Sequence, residues 1–198
     1  MEIKNTYTEV NQKLVDGCRK NKRSAQIRIY ELYYKAMYNS SLRILNNREE
    51  AEDIMQEAFL DAFKKIDLYK GTGSFGAWLK RIVVNKSIDH LRAKKDTLSL
   101  EEEIIAAEDV EDTTIEDEAY VSNTFTRLEE IREAIDNLDA HHKIVISLHL
   151  LEGYDHQEIA QILHISHNNA RARYFRAKKK LLEEIIRSGD AYLKSLTN

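Results

Sequence analysis

The residues best placed to do chemistry lie between positions 167 and 181. Read as a helix, Ala170, Tyr174, Ala177 and Leu181 form one stripe at spacings of 4, 3 and 4, suited to a core. Asn168, Ala172, Phe175, Arg176 and Lys179 then face the other way, with Arg171 on the flank. The chemistry open to that outer face is recognition of a nucleic acid rather than catalysis. An Arg fork matches the two acceptors of guanine, an Asn amide matches adenine, and Phe175 can pack on a thymine methyl. Lys179 suits a phosphate. By charge alone a solvated basic face would look the same.

The segment ahead of it separates the two readings. YDHQEIAQILHISHNNARAR, residues 154–173, reads as a helix-turn-helix. Ile159, Ala160 and Leu163 are the expected buried positions of its first helix, with small Ala160 allowing a close crossing. His164-Ile165-Ser166 makes a three-residue turn, with Ile165 between the helices and Ser166 as the N-cap of the second. His164 stands where Gly is usual, so a left-handed turn there carries some strain.

Other chemistries find less support. His141, His142, His149, His156, His164 and His167 invite a metal reading, but no His-Glu-x-x-His occurs and no cysteine accompanies them. Phosphate-binding Gly-rich loops and a Gly-x-Ser-x-Gly elbow are missing. Cys18 is the single cysteine and sits on an apolar stripe, so it reads as core. No catalytic residue, metal or cofactor is expected.

No Pro and only 6 Gly in 198 residues leave few breakers, and strand-like alternation is scarce. The chain reads as all-α. Expected helices cover residues 8–20 (Val10, Leu14, Cys18), 24–45 (Ile29, Leu32, Tyr33, Ala36, Met37) and Glu49 to Ile66 (Ala51, Ile54, Ala58, Phe59, Ala62, Phe63). Gly71-Thr72-Gly73-Ser74 is a turn, with Ser74 positioned to cap a helix running to Lys95. That helix changes face, from Phe75, Trp78, Leu79, Ile82 and Val83 to Val84, Ile88 and Leu91. Either it bends or both faces have partners. Four more helices are expected from Asn123 on: one on Leu128, Ile131, Ile135 and Leu138, one on Ile144, Val145 and Leu148 up to Gly153, then Tyr154 to Leu163, and His167 to Ser188.

Charge is segregated along this layout. Residues 1–95 hold 19 basic and 12 acidic side chains, net +7; residues 96–140 hold 2 and 16, net −14; residues 141–198 hold 9 and 6, net +3. Two basic segments suit a polyanion, and the acidic one between them repels it. We expect two small helical domains, 1–95 and 123–198, joined by a flexible acidic linker, 96–122, that can span at most about 90 Å. No run suits a membrane span, and the N-terminus, Met1-Glu2-Ile3-Lys4-Asn5, lacks the apolar core of a signal peptide; both absences lead us to expect a cytoplasmic protein without membrane insertion.

NREEAEDIMQEAFLDAF (47–63), a Gly-bearing loop and FGAWLKRIVVNKSIDHLR (75–92) resemble the second region of bacterial sigma factors, and Leu138 to Leu181 resembles the fourth. The order and spacing, without an intervening domain, resemble the extracytoplasmic-function (ECF) group. That resemblance implies a chain that binds core RNA polymerase, directs it to promoter DNA and helps open the duplex. Carried over by position, Asp53, Gln56, Glu57 and Phe59 would face the polymerase clamp. Tyr69, Lys70, Gly71, Thr72, Gly73 and Ser74 would hold a flipped base of the −10 element, with Tyr69 or Phe75 stacking on it. Lys80, Arg81, Asn85, Lys86 and Arg92 would meet the non-template strand, and Trp78 reads as core. Asn168, Arg171, Ala172, Phe175, Arg176 and Lys179 would read the −35 element. The acidic linker would lie in the RNA-exit channel as an RNA mimic. An anti-sigma factor is a further expected partner. The rival reading, a transcriptional regulator with a sensing domain, would explain residues 123–188 but not the motifs at 47–92.

Overall fold

The computed structural model describes residues 12–95 and 124–196, with side chains over 12–94 and 131–187. The described residues form helices joined by short turns and loops, and no strand occurs among them. The chain divides into two compact units, Met1–Leu100 and Glu101–Asn198, each described here by itself. The expected linker, Val10 and Leu128 lie outside the residues whose side chains are described.

The N-terminal unit is built from helices α1 (12–19), α2 (Arg23–Leu45), α3 (Arg48–Lys64) and α4 (Phe75–Lys95), with a 3-10 turn at Ile66–Leu68. Two adjacent asparagines separate α2 from α3. Asn46 takes a left-handed conformation (φ 51°) and its N–H bonds the Leu42 carbonyl, which closes α2. The Asn47 side chain accepts from the N–H groups of Glu49 and Glu50, which opens α3. Glu49 and Glu50 then sit in the first turn, where the helix dipole favours anions.

α2, α3 and α4 pack against one another, so α4 is covered from both sides. This explains its change of face: Leu79 and Val83 are buried, and so are Val84 and Ile88. Where α2 meets α4, the Ser41 and Ser87 hydroxyls lie 3.0 Å apart in the interior, and Ser87 donates to the Val83 carbonyl. Small polar residues allow close approach there and satisfy one another.

The buried stripe of α2 differs from the expected one. Ala25, Ile29, Met37, Ser40, Ser41, Ile44 and Leu45 are buried, whereas Leu32 is 46% exposed and Ala36 is exposed. A two-sided helix interface follows the partners' geometry, and apolar content alone did not show that two serines are the inward residues. Cys18 is buried in the core (1% exposed), and burial pushes its thiol above the ordinary value, away from the reactive thiolate.

The C-terminal unit comprises α5 (Thr124–Asn137), α6 (Ala140–Ile146), a π turn (Ser147–Leu151), α7 (His156–Leu163) and α8 (His167–Leu196). Its core includes Ala134, Ile135, Leu138, Ile146, Ala177 and Leu181. On α5, Ala134 is fully buried while Ile131 is 38% exposed, a one-turn correction to the expected stripe. The helix expected to continue to Gly153 instead widens into the π turn, where the Glu152 N–H reaches the Ser147 carbonyl. Leu148 stays fully buried, but Leu150 and Leu151 are about half exposed (51% and 45%). α7 begins at His156, two residues later than expected, on a capping box. There Asp155 accepts from the Glu158 N–H at 2.8 Å, and Glu158 accepts from the Asp155 N–H at 3.1 Å.

Candidate nucleic-acid interface

The helix-turn-helix takes the expected form. His164 adopts the left-handed conformation (φ 53°, ψ 43°) and closes α7. Ser166 caps α8, its hydroxyl accepting from the Asn169 N–H at 3.2 Å. Ile159, Ala160 and Ile162 are buried; Leu163, expected in the core, is half-buried, and Ile162 takes that place. Ala170, Ala177 and Leu181 are buried and Tyr174 half-buried, so the α8 stripe is fixed as its spacing implies. Asn168, Arg171 and Lys179 are exposed; Ala172, Phe175 and Arg176 are half-buried on the same side of the helix. The Arg171 guanidinium lies over the Phe175 ring at 5.5 Å, which holds both side chains on that face. Arg173, absent from the expected set, donates to the Asn169 side chain at 3.2 Å and braces the first turn of α8.

In the N-terminal unit the loop from Tyr69 to Ser74 is pinned at both ends. Arg19 donates to the Tyr69 carbonyl at 2.7 Å, and the Tyr69 hydroxyl donates to the Gly73 carbonyl at 2.8 Å. Ser74 caps α4 through the Ala77 N–H. Gly71 and Gly73 have φ of 77° and 92°, which an L side chain rarely adopts. Lys70, Gly71, Thr72, Gly73 and Ser74 are exposed. Tyr69 and Phe75 are not available to stack on a base: they are 7% and 3% exposed and pack on each other and on Trp78 at 5.4–5.6 Å. The aromatic cluster is the floor of the loop. Arg19 was invisible as an anchor because it lies 50 residues from the carbonyl it binds.

Phe59 requires a similar correction. It is 2% exposed and packs on Tyr30 and Phe63, so it cannot present its ring to a partner. Asp53, Gln56 and Glu57 are exposed on α3, and Leu60, 60% exposed, completes their face. The spacing 53, 56, 57, 60 was the signal that would have found it. Lys86 is half-buried and bridges Glu57 at 3.1 Å and Asp61 at 3.3 Å. Burial opposes its charge, but the two carboxylates outweigh burial and hold its pKa above the ordinary value. Its ammonium therefore ties α4 to α3 rather than pointing to a nucleic acid. Arg81 and Asn85 are exposed on α4, Lys80 and Arg92 half-buried, and Arg92 pairs with Asp89 at 3.2 Å.

Among the described residues no group of three or more His, Cys, Asp or Glu has the geometry to hold a metal ion. No described helix is long and apolar enough to cross a membrane.

An all-helical unit with a pinned loop and basic helix, followed by a helix-turn-helix unit, defines a transcription factor of the sigma type. The family model for Sigma-70 region 2 matches residues 29–97, and that for Sigma-70 region 4 matches residues 128–181. The ECF RNA polymerase sigma factor SigW of Bacillus subtilis (strain 168) is 30% identical over 181 residues, 88% of this chain and 96% of that protein. The ECF RNA polymerase sigma-E factor of Haemophilus influenzae is 30% identical over 148 residues, 70% of this chain and 76% of its own length. The chain belongs to the ECF RNA polymerase sigma factors. It is a promoter-directing initiation factor, not an enzyme. The fold is shared with the sigma factor RpoE solved with the anti-sigma factor NepR from Bartonella quintana, at a TM-score of 0.52 and 21% identity over 80% of this chain and 94% of that one.

Proposed function

We propose that the two units divide promoter recognition between them, with residues 1–95 docking on core polymerase and reading the −10 element, and residues 123–198 reading the −35 element. The outer face of α8 carries this reading. A buried Ala170–Ala177–Leu181 stripe holds Asn168, Arg171, Ala172, Phe175, Arg176 and Lys179 outward, the arrangement a major-groove helix needs. Core polymerase meets Asp53, Gln56, Glu57 and Leu60 on α3. The −10 strand meets the backbone of the Lys70–Ser74 loop, where two glycines let a base come close, together with Lys80, Arg81, Asn85 and Arg92. The acidic segment 96–122 separates the readers and occupies a basic channel until RNA displaces it. The protein works in the cytoplasm, and an anti-sigma factor is its regulatory partner, as in the RpoE–NepR complex.

Run-off transcription tests the reading. The full chain with core polymerase alone should start transcripts from a cognate promoter, and scrambling the −35 element should abolish the dependence on Arg176. A chain that shifts promoter DNA by itself but gives no transcript with core polymerase would instead be a classical-type regulator.

A further inference from the structure

Three histidines that these interfaces leave unused meet where the π turn, α7 and α8 converge. The rings of His149 in the π turn and His156 at the start of α7 stack at 4.8 Å between centroids, 15° from parallel. Tyr174 of α8 closes on both, at 4.3 Å from His149 and 5.0 Å from His156. His167, the first residue of α8, lies 6.5 Å from His156. One ring cluster therefore joins the π turn to both helices of the helix-turn-helix.

The surroundings of His156 disfavour a charged ring there. Nδ1 of His149 donates to the Tyr154 carbonyl at 2.8 Å, which fixes its tautomer. Nδ1 of His156 is buried with no hydrogen-bond partner among the described residues. Protonation would place a charged N–H there with no acceptor, and an unpaired buried charged donor costs more than an unpaired neutral lone pair. His156 and His167 also open α7 and α8, where the helix dipoles disfavour a cation. The charged and titratable groups around His156 are His149 from the π turn, Asp155 and Glu158 from its own helix, and His167, Arg171 and Tyr174 from α8. Only the carboxylates favour a charged ring. Burial first, then His149, His167 and Arg171, hold His156 below the ordinary histidine value, with Asp155 opposing.

We propose that this stack is a proton-sensitive latch on the helix-turn-helix: uncharged, it holds α7 and the π turn against α8, and protonation below neutral pH loosens the recognition face. A group depressed in the folded state stabilises fully above its unfolded value. That stability is lost as pH falls from the ordinary histidine value toward the folded one. The consequence for DNA rests on the −35 reading above; the latch itself does not.

Amide hydrogen exchange of the full chain, corrected for intrinsic rates, tests the latch without DNA. Protection of α7 and α8 should fall between pH 7.5 and 5.5, by up to about tenfold per pH unit for one proton. α2–α4 of the same molecule serve as the reference. His156→Gln, which cannot be charged, should flatten the α7–α8 response. If that variant unfolds, His156→Phe and the ring-proton NMR titration of the unmodified chain take its place, with the His156 ring titrating below an exposed histidine. Protection independent of pH, a response unchanged in His156→Gln, or an ordinary His156 titration would each overturn the proposal. A pH-dependent exchange response in a chain whose run-off transcription is indifferent to scrambling the −35 element would leave the latch standing and sink the −35 reading.

Discussion

At the scale of single residues, burial separates side chains that the sequence places side by side. Phe59 and Leu60 are both apolar neighbours on α3, yet one is 2% and the other 60% exposed. Phe59→Ala should destabilise the N-terminal unit by about 3–5 kcal/mol, measured by chemical denaturation. Leu60→Ala should change stability by less than about 0.5 kcal/mol and still weaken core-polymerase binding, measured by competition for core enzyme. Equal loss of stability in both would refute the assignment of the face. On α8, Arg176→Ala should cost about 1–3 kcal/mol of discrimination at one −35 position if it reads a base. A uniform loss on all promoters in run-off assays would make it a phosphate contact. In the loop, Gly73→Ala forces an L side chain to φ near 92°, which should cost about 1 kcal/mol and lower promoter opening, read by permanganate footprinting.

Whole elements are held by contacts that local pattern does not reveal. α3 and α4 are tied at one end by Glu57 and Asp61 on Lys86, and at the other by Glu50, which meets His90 at 3.2 Å as well as Lys94. The Lys94 hydrogen bond and the His90 contact hold Glu50 below its ordinary value despite some burial. A depressed carboxylate stabilises above its unfolded value and loses that contribution as pH falls through the folded one. The N-terminal unit should therefore weaken below about pH 4.5, and Glu50→Gln should remove part of that slope in urea titrations at pH 3–6. Helix existence was legible because 3.6-residue periodicity, caps at Ser74 and Ser166, and the scarcity of breakers all agree. The inward face of α2 was not, because Ser40 and Ser41 are both buried and Ser41 meets Ser87 of α4, a fact of the partner helix. The π turn was hidden too, since inserting one residue leaves Leu148 apolar and inward while turning Leu150 and Leu151 out.

At the scale of the whole molecule, segregated charge matters more than the net of −4. Each basic patch is small, so the free chain should bind promoter DNA weakly and lose that binding steeply with salt. If the acidic segment acts as an RNA mimic, replacing Glu101, Glu102, Glu103, Glu116, Asp117 and Glu118 by their amides should weaken core binding or alter promoter escape. Unchanged core affinity together with unchanged abortive-to-full-length transcript ratios would reduce it to a tether. The sequence by itself determined the all-helical class, the family motifs, the helix-turn-helix with its outward Arg171–Lys179 face, and the separation of charge. These are set by local spacing, capping and composition, which act within a few turns of one chain. Only the tertiary structure decided that Tyr69, Phe75 and Phe59 are floor and core, that Lys86 spends its charge on α3, that Arg19 anchors a loop 50 residues away, and that three histidines share one site. Each of these depends on which side of a helix another element covers, and burial of that kind is fixed by packing between segments distant in sequence.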